Sequence, residues 1–166
     1  MSDQGAGAGS AGSSADVETV ERVIPAPPEK IFELLADPAR HPQIDGSGTV
    51  RGVKTPAQTL ALGSKFGMAM KLGVPYSMVS TVIEFEPNRR IAWQTRPPGR
   101  IPGKLAGGRI WRYELEPVDG GTRVRESWDI SQEVVKVLVK PARGKTIKAM
   151  NDTLERIEKL LAAEPA

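Results

Sequence analysis

The apolar positions change period twice along the chain. Val17, Thr19, Glu21 and Val23 alternate with Glu18, Val20, Arg22 and Ile24, which predicts a first strand of mixed faces, ended by Pro25. Pro27-Pro28-Glu29 then opens a helix, because proline is tolerated in a first turn and an acid is favourable at the positive end of the helix dipole. Ile31, Phe32, Leu34 and Leu35 supply its buried face, and Asp37-Pro38 stops or bends it. Residues 39–44 form a further short turn, so a short helix pair follows the first strand.

From residue 49 to residue 130 the period is two. Strands are predicted over 49–54, 65–71, 76–86, 90–96, 108–116 and 122–130, separated by turn chemistry such as Glu86-Pro87-Asn88-Arg89 and Asp119-Gly120-Gly121. With the first strand these make seven, and strands joined by such short connections pair antiparallel. After Ser131, residues 132–140 read either as a short helix or, through Val134, Val135, Val137 and Val139, as a strand extension. From Lys145 the period becomes helical, with Ile147, Met150, Leu154, Ile157, Leu160 and Leu161 at three- and four-residue steps. Such a helix of about five turns needs a large apolar partner, and the concave face of a curved sheet is the partner available.

Alternation also assigns the faces. The inward sets are Phe66, Met68 and Met70; Ile91, Trp93 and Thr95; Trp111, Tyr113 and Leu115; and Val124, Glu126 and Trp128. For 76–86 the favoured set is Ser77, Val79, Thr81, Ile83 and Phe85, with the opposite set of Tyr76 and Met78 open, since a one-residue slip inverts the faces. Glu126 stands out, because the phase that buries Val124 and Trp128 turns its carboxyl inward, where it needs a partner or a raised pKa. Arg109, in phase with Trp111, is its expected partner. His41, in Arg40-His41-Pro42, reads as part of a solvent-facing turn.

Composition narrows the chemistry. Residues 1–15 are almost wholly Gly, Ala and Ser and are expected to be a disordered tail before a single domain over 16–163. With no cysteine and one histidine, the chain offers no zinc finger, thiolate nucleophile or His-rich metal site, and neither metal nor cofactor is expected. Residues 99–105 fail as a phosphate loop, being one residue short before Gly103-Lys104 and carrying Leu105 where Ser or Thr is required. The 23 basic and 20 acidic residues give a net charge of +3, with no nucleic-acid reader motif. Placement matters more than the total: residues 96–112 and 134–151 each hold five basic residues and no acid. If they adjoin, Arg96, Arg100, Lys104 and Arg109 form a basic rim suited to an anionic ligand or membrane surface. Without a membrane-length apolar run or signal-peptide layout, a cytoplasmic location is the expectation.

Three stretches carry a resemblance. Ile24-Pro25-Ala26-Pro27-Pro28-Glu29-Lys30-Ile31-Phe32, the run from Glu84 through Pro87 to Trp93, and Tyr113-Glu114-Leu115-Glu116-Pro117 with Gly120-Gly121-Thr122-Arg123-Val124 resemble the strand-to-helix entry and two hairpins of the START and Bet v 1-like (SRPBCC) superfamily, in its polyketide cyclase/dehydrase-like branch. The resemblance spans about residues 17–163. It implies an α+β helix-grip fold, a curved seven-stranded antiparallel sheet wrapped around a long C-terminal helix. The superfamily includes lipid carriers, hormone receptors and aromatase/cyclases and has no universal catalytic motif. Where many relatives have an aromatic residue after the first helix, this chain has His41-Pro42.

The expected function is binding or carriage of a small hydrophobic or amphipathic molecule in an internal cavity. Its lining is drawn from Phe66, Met68, Met70, Trp93, Trp111, Tyr113, Trp128, Met150 and Leu154, with Glu126 among them. The alternatives are a cyclase or dehydratase in which Glu126 handles protons, and a lipid-transfer module that docks on anionic membranes.

Overall fold

The structure, a computed structural model, describes residues 14–100 and 102–165. Most of the expected tail lies outside the described residues; Ser14 already forms an isolated bridge to Val17. All seven strands form: β1 (Val17–Ile24), β2 (Val50–Val53), β3 (Lys65–Leu72), β4 (Val74–Glu86), β5 (Arg90–Arg96), β6 (Arg109–Val118) and β7 (Gly121–Asp129). They make one antiparallel sheet in the order β1-β7-β6-β5-β4-β3-β2. Strands β2 to β7 are a meander, and β1 returns to the far edge to pair with β7, placing Val20 opposite Glu126 and Ile24 opposite Thr122.

Helix α1 (Pro28–Leu35) buries Ile31, Phe32, Leu34 and Leu35, and a 3₁₀ turn at Pro38–Arg40 leads into α2 (His41–Ile44). Helix α3 (Pro102–Leu105) interrupts the β5–β6 connection. The ambiguous stretch after Ser131 resolves as a turn followed by α4 (Lys136–Val139). The strand does not continue because the chain reverses there, the Glu133 amide donating to the Ile130 carbonyl at 3.0 Å, while the Val134 amide donates to the Gly107 carbonyl at 3.0 Å across the mouth of the β5–β6 connection. A further 3₁₀ turn at Lys140–Ala142 enters α5 (Arg143–Ala163), which starts two residues before the predicted Lys145.

Helix α5 lies against β1, β7, α1 and α2, burying Met150, Thr153, Leu154 and Ile157 at helical spacing. One contact shows how closely the α2–β2 connection seats on it. A Cβ on Gly46 would stand 2.2 Å from the Ala149 carbonyl oxygen, while the Gly46 amide donates to Thr153 Oγ1 at 2.9 Å. Only glycine allows that approach. At the β6–β7 turn, Gly121 takes φ 151° with the Ile24 carbonyl oxygen 2.0 Å from where a Cβ would sit, so the turn also fixes where β1 ends.

The faces of β4 correct the favoured reading of the sequence. Phe66 lies opposite Ser80, Met68 opposite Met78 and Met70 opposite Tyr76, so the even-numbered residues of β4 face the core up to Val82. The register with β5 then slips between Val82 and Glu84, and Phe85 returns inward to meet the Phe32 ring at 5.4 Å. A β-bulge inserts one unpaired residue and reverses the phase. Hence Ser77, Val79, Thr81 and Ile83 lie on the outer face, and only Phe85 of the favoured set points in.

The convex face is laced with cross-strand ion pairs. Arg112 on β6 donates to Glu84 on β4 at 2.6–3.1 Å, and Arg90 to Glu114 at 2.9 Å. Like the alternation itself, this pattern follows from one sheet face being wet and the other dry.

Candidate functional site

Register places Tyr113 directly opposite Glu126, with Val20 on the other flank, in the middle of the concave face. The Tyr113 hydroxyl donates to Glu126 Oε1 at 2.8 Å. Glu126 is 2% exposed, and its Oε2 has no hydrogen-bond partner among the described residues. Burial pushes the Glu126 carboxyl up to about 8; the Tyr113 hydrogen bond opposes the shift and the Asp45 charge adds to it. At neutral pH Glu126 is therefore mainly a neutral carboxylic acid. Since Oε1 already accepts from Tyr113, the acidic proton falls on Oε2, a donor without an acceptor. Burial raises the Tyr113 hydroxyl well above its ordinary value, so it stays protonated.

An aromatic chain leads to this pair. Phe66 meets Trp93 edge-on at 5.7 Å, and Trp93 lies 5.6 Å from Tyr113. The sequence reading missed the fourth ring. His41, expected at the surface, is 7% exposed and stacks on Trp93 at 5.1 Å, with Phe66 at its edge. Its Nε2 donates to the Leu35 carbonyl at 2.9 Å, and burial lowers its pKa, so the ring is neutral and held in one tautomer. The rings of Phe66 on β3 and Trp93 on β5 cover it, contacts with strands distant along the chain that no local pattern announces. Thr95 lies on the concave face as expected, and its buried hydroxyl partner at 2.9 Å, Ser80, was missed because the favoured phase of β4 turned it outward.

Arg109 shares the predicted face but not the predicted partner: it donates to the buried carboxylate of Glu133 at 3.1 Å. Four residues separate Arg109 from Tyr113, about 13 Å along a strand, too far to reach Glu126. Alternation gives the side of a sheet and says nothing about distance along it.

The expected lining residues all belong to or pack against one core cluster. Phe66, Met68, Trp93, Tyr113, Trp128, Met150 and Leu154 are buried, and Met70 and Trp111 are partly so. Their side chains pack together on the concave face of the sheet. Concavities are found outside the wrap. One of about 340 Å³ lies among the charged residues of the convex face, including Arg90, Glu114 and Arg123. Another, of about 810 Å³, lies on the outer face of β3–β5 and contains Arg96, Arg100 and Lys104. Those three belong to this outer groove rather than to an interior mouth. Among the described residues no group of three or more His, Asp and Glu is placed to hold a metal ion, and no helix is long and apolar enough to cross a membrane.

Residues 16–162 match the family described as "Polyketide cyclase / dehydrase and lipid transport", and the chain belongs to that family, a helix-grip member of the SRPBCC group. It is 42% identical over 109 residues to Rv0088 of Mycobacterium tuberculosis, a match covering 64% of this chain and 44% of that protein. The chain therefore spans less than half of that relative. A crystal structure from Rhodobacter sphaeroides superposes with a TM-score of 0.71 at 20% identity, covering 95% of this chain and 99% of the other. DynU16, from the dynemicin biosynthetic locus, superposes at 0.65 with 16% identity, covering 90% of this chain and 48% of its own. At these identities the structural matches establish the fold.

Proposed function

We propose that the concave interior binds a small hydrophobic or amphipathic molecule, with the molecule's polar end accepting a hydrogen bond from Glu126. The observation that carries this reading is the bare Oε2 of a buried carboxyl, held by Tyr113 on the concave face that carries the core's aromatic and methionine side chains. A carboxyl with an unmade hydrogen bond costs about 1–3 kcal/mol, and an apolar residue of similar shape would avoid that cost. A ligand carbonyl, ether or hydroxyl oxygen at Oε2 recovers it. Met68, Met70 and Met150 are the side chains best able to yield space, being unbranched and adaptable.

The raised pKa favours a second reading of the same site. A neutral carboxylic acid near pH 7, backed by a tyrosine hydroxyl, is equipped to protonate a carbonyl or a leaving hydroxyl, the step a cyclase or dehydratase needs. Binding precedes either outcome and is tested first. Native mass spectrometry of protein purified gently from its source, followed by denaturing extraction, is expected to reveal a small molecule at one per chain. Glu126→Ala should lose it while remaining folded by circular dichroism. An empty protein that also binds neither a fluorescent fatty acid nor a polycyclic aromatic probe overturns the proposal. If the extracted molecule is turned over, loss of turnover in Glu126→Gln with binding retained assigns the acid role to Glu126.

A further inference from the structure

Strand register gathers three stretches at one end of the sheet. The last β4–β5 pair is Val79 with Arg96, so residues 74–78 project beyond β5 in a ribbon with the end of β3. The β5–β6 connection leaves from the same end. So does the chain after β7, which the Val134 amide ties to Gly107.

This end is unusually apolar for a surface. At the β3–β4 turn Leu72 and Val74 are 69% and 70% exposed, with Tyr76 beside them. On α4, Val137 and Leu138 are each 74% exposed. Large side chains so exposed on two separate elements at one end go beyond the scattered apolar residues any surface carries.

The charge there is of one sign. Residues 65–83, 96–112 and 134–151 contain no acid. The carboxylates that reach this end from elsewhere are engaged: Asp16 by Lys136 and Lys140, Glu18 by Arg143, and Glu133 by Arg109. Among the described residues, no salt bridge engages Lys71, Arg100, Lys104 or Lys145, all exposed. Apolar tips ringed by cations suit an anionic bilayer surface, where side chains enter the acyl boundary and ammonium and guanidinium groups stay among the headgroups. A second copy of this chain would bring like charges together at the same place.

We infer that this end of the molecule docks on anionic membranes, with Leu72 and Val74 at the hairpin tip and Val137 and Leu138 on α4 as the inserted side chains. The surface stands apart from the interior site; only its use, exchange of a bound amphiphile with lipid, rests on the proposed binding function.

The test is co-flotation of the full chain with vesicles of phosphatidylcholine alone or with 30 mol% phosphatidylglycerol, at about 0.1 M salt. The expected result is partition onto the anionic vesicles at least tenfold above the neutral ones. The paired changes Leu72→Asp with Val74→Asp, and Val137→Asp with Leu138→Asp, should each lower it tenfold or more, while Arg123→Ala on the convex face leaves it within twofold. Equal partition onto both vesicle types, no partition, or paired variants that bind like the parent overturn the inference, as does a dimer that light scattering shows to be broken by the hairpin changes. Ligand retention by native mass spectrometry is read on the same variants. Retention with lost flotation isolates the docking surface, and flotation by a protein with an empty interior defeats the binding proposal while supporting the docking surface.

Discussion

On the convex face of the sheet, Glu84 accepts three close contacts from the Arg112 guanidinium; on the concave face, Glu126 accepts one from Tyr113 and leaves an oxygen bare. Both are strand glutamates, Glu84 reaching across β5 to β6 and Glu126 meeting its direct neighbour on β6. Arg112 holds the Glu84 carboxyl below its ordinary value, whereas burial raises Glu126 to about 8. The difference lies in the medium and the partner. A wet face supplies a cation and solvates the remainder, so the charge is kept; a dry face supplies a neutral hydroxyl, so the proton is kept.

The two faces also differ in what holds them, and the largest expected effect is on the dry side. Leu154→Ala removes a fully buried side chain where α5 meets the sheet and should cost about 2–5 kcal/mol in urea denaturation. A loss well below that range would mean that α5 is not the main partner of the concave face.

Next comes pH. The folded protein keeps the Glu126 proton up to about pH 8, while the unfolded chain releases it near 4.5, so the folded state holds more protons across that window. Stability then falls as pH rises through it, with a slope approaching about 1.4 kcal/mol per pH unit from this group. Glu126→Gln should flatten the fall between pH 5 and 8; parallel curves for the two proteins would show Glu126 ionised at neutral pH.

Smallest is the convex pair. A double-mutant cycle on Glu84 and Arg112 should return about 0.2–1 kcal/mol, since both side chains are partly solvated. The sign with pH is opposite: this contribution is present above the ordinary carboxylate range and is lost as pH falls through the lowered Glu84 value. A coupling that instead declined between pH 5 and 8 would erase the distinction between the faces.

Periodicity carried the sequence reading a long way. The alternation of Val124, Glu126 and Trp128 against Trp111 and Tyr113 was enough to turn Glu126 inward beside the tyrosine that now donates to it. It misled on β4, where apolar residues on both phases, Met78 and Val82 on one and Val79 and Phe85 on the other, were the sign of a bulge rather than of a choice between faces.

The sequence by itself determined the seven strands, the long terminal helix and the inward carboxyl, because periods of two and of three to four residues are imposed by backbone geometry within each element. The tertiary structure alone decided that Arg109 answers to Glu133, that His41 is sealed between Trp93 and Leu35, and that two basic stretches and an apolar hairpin share one end. Those outcomes depend on how far apart residues stand in space, and that distance is set by pairing and packing among segments many tens of residues apart along the chain.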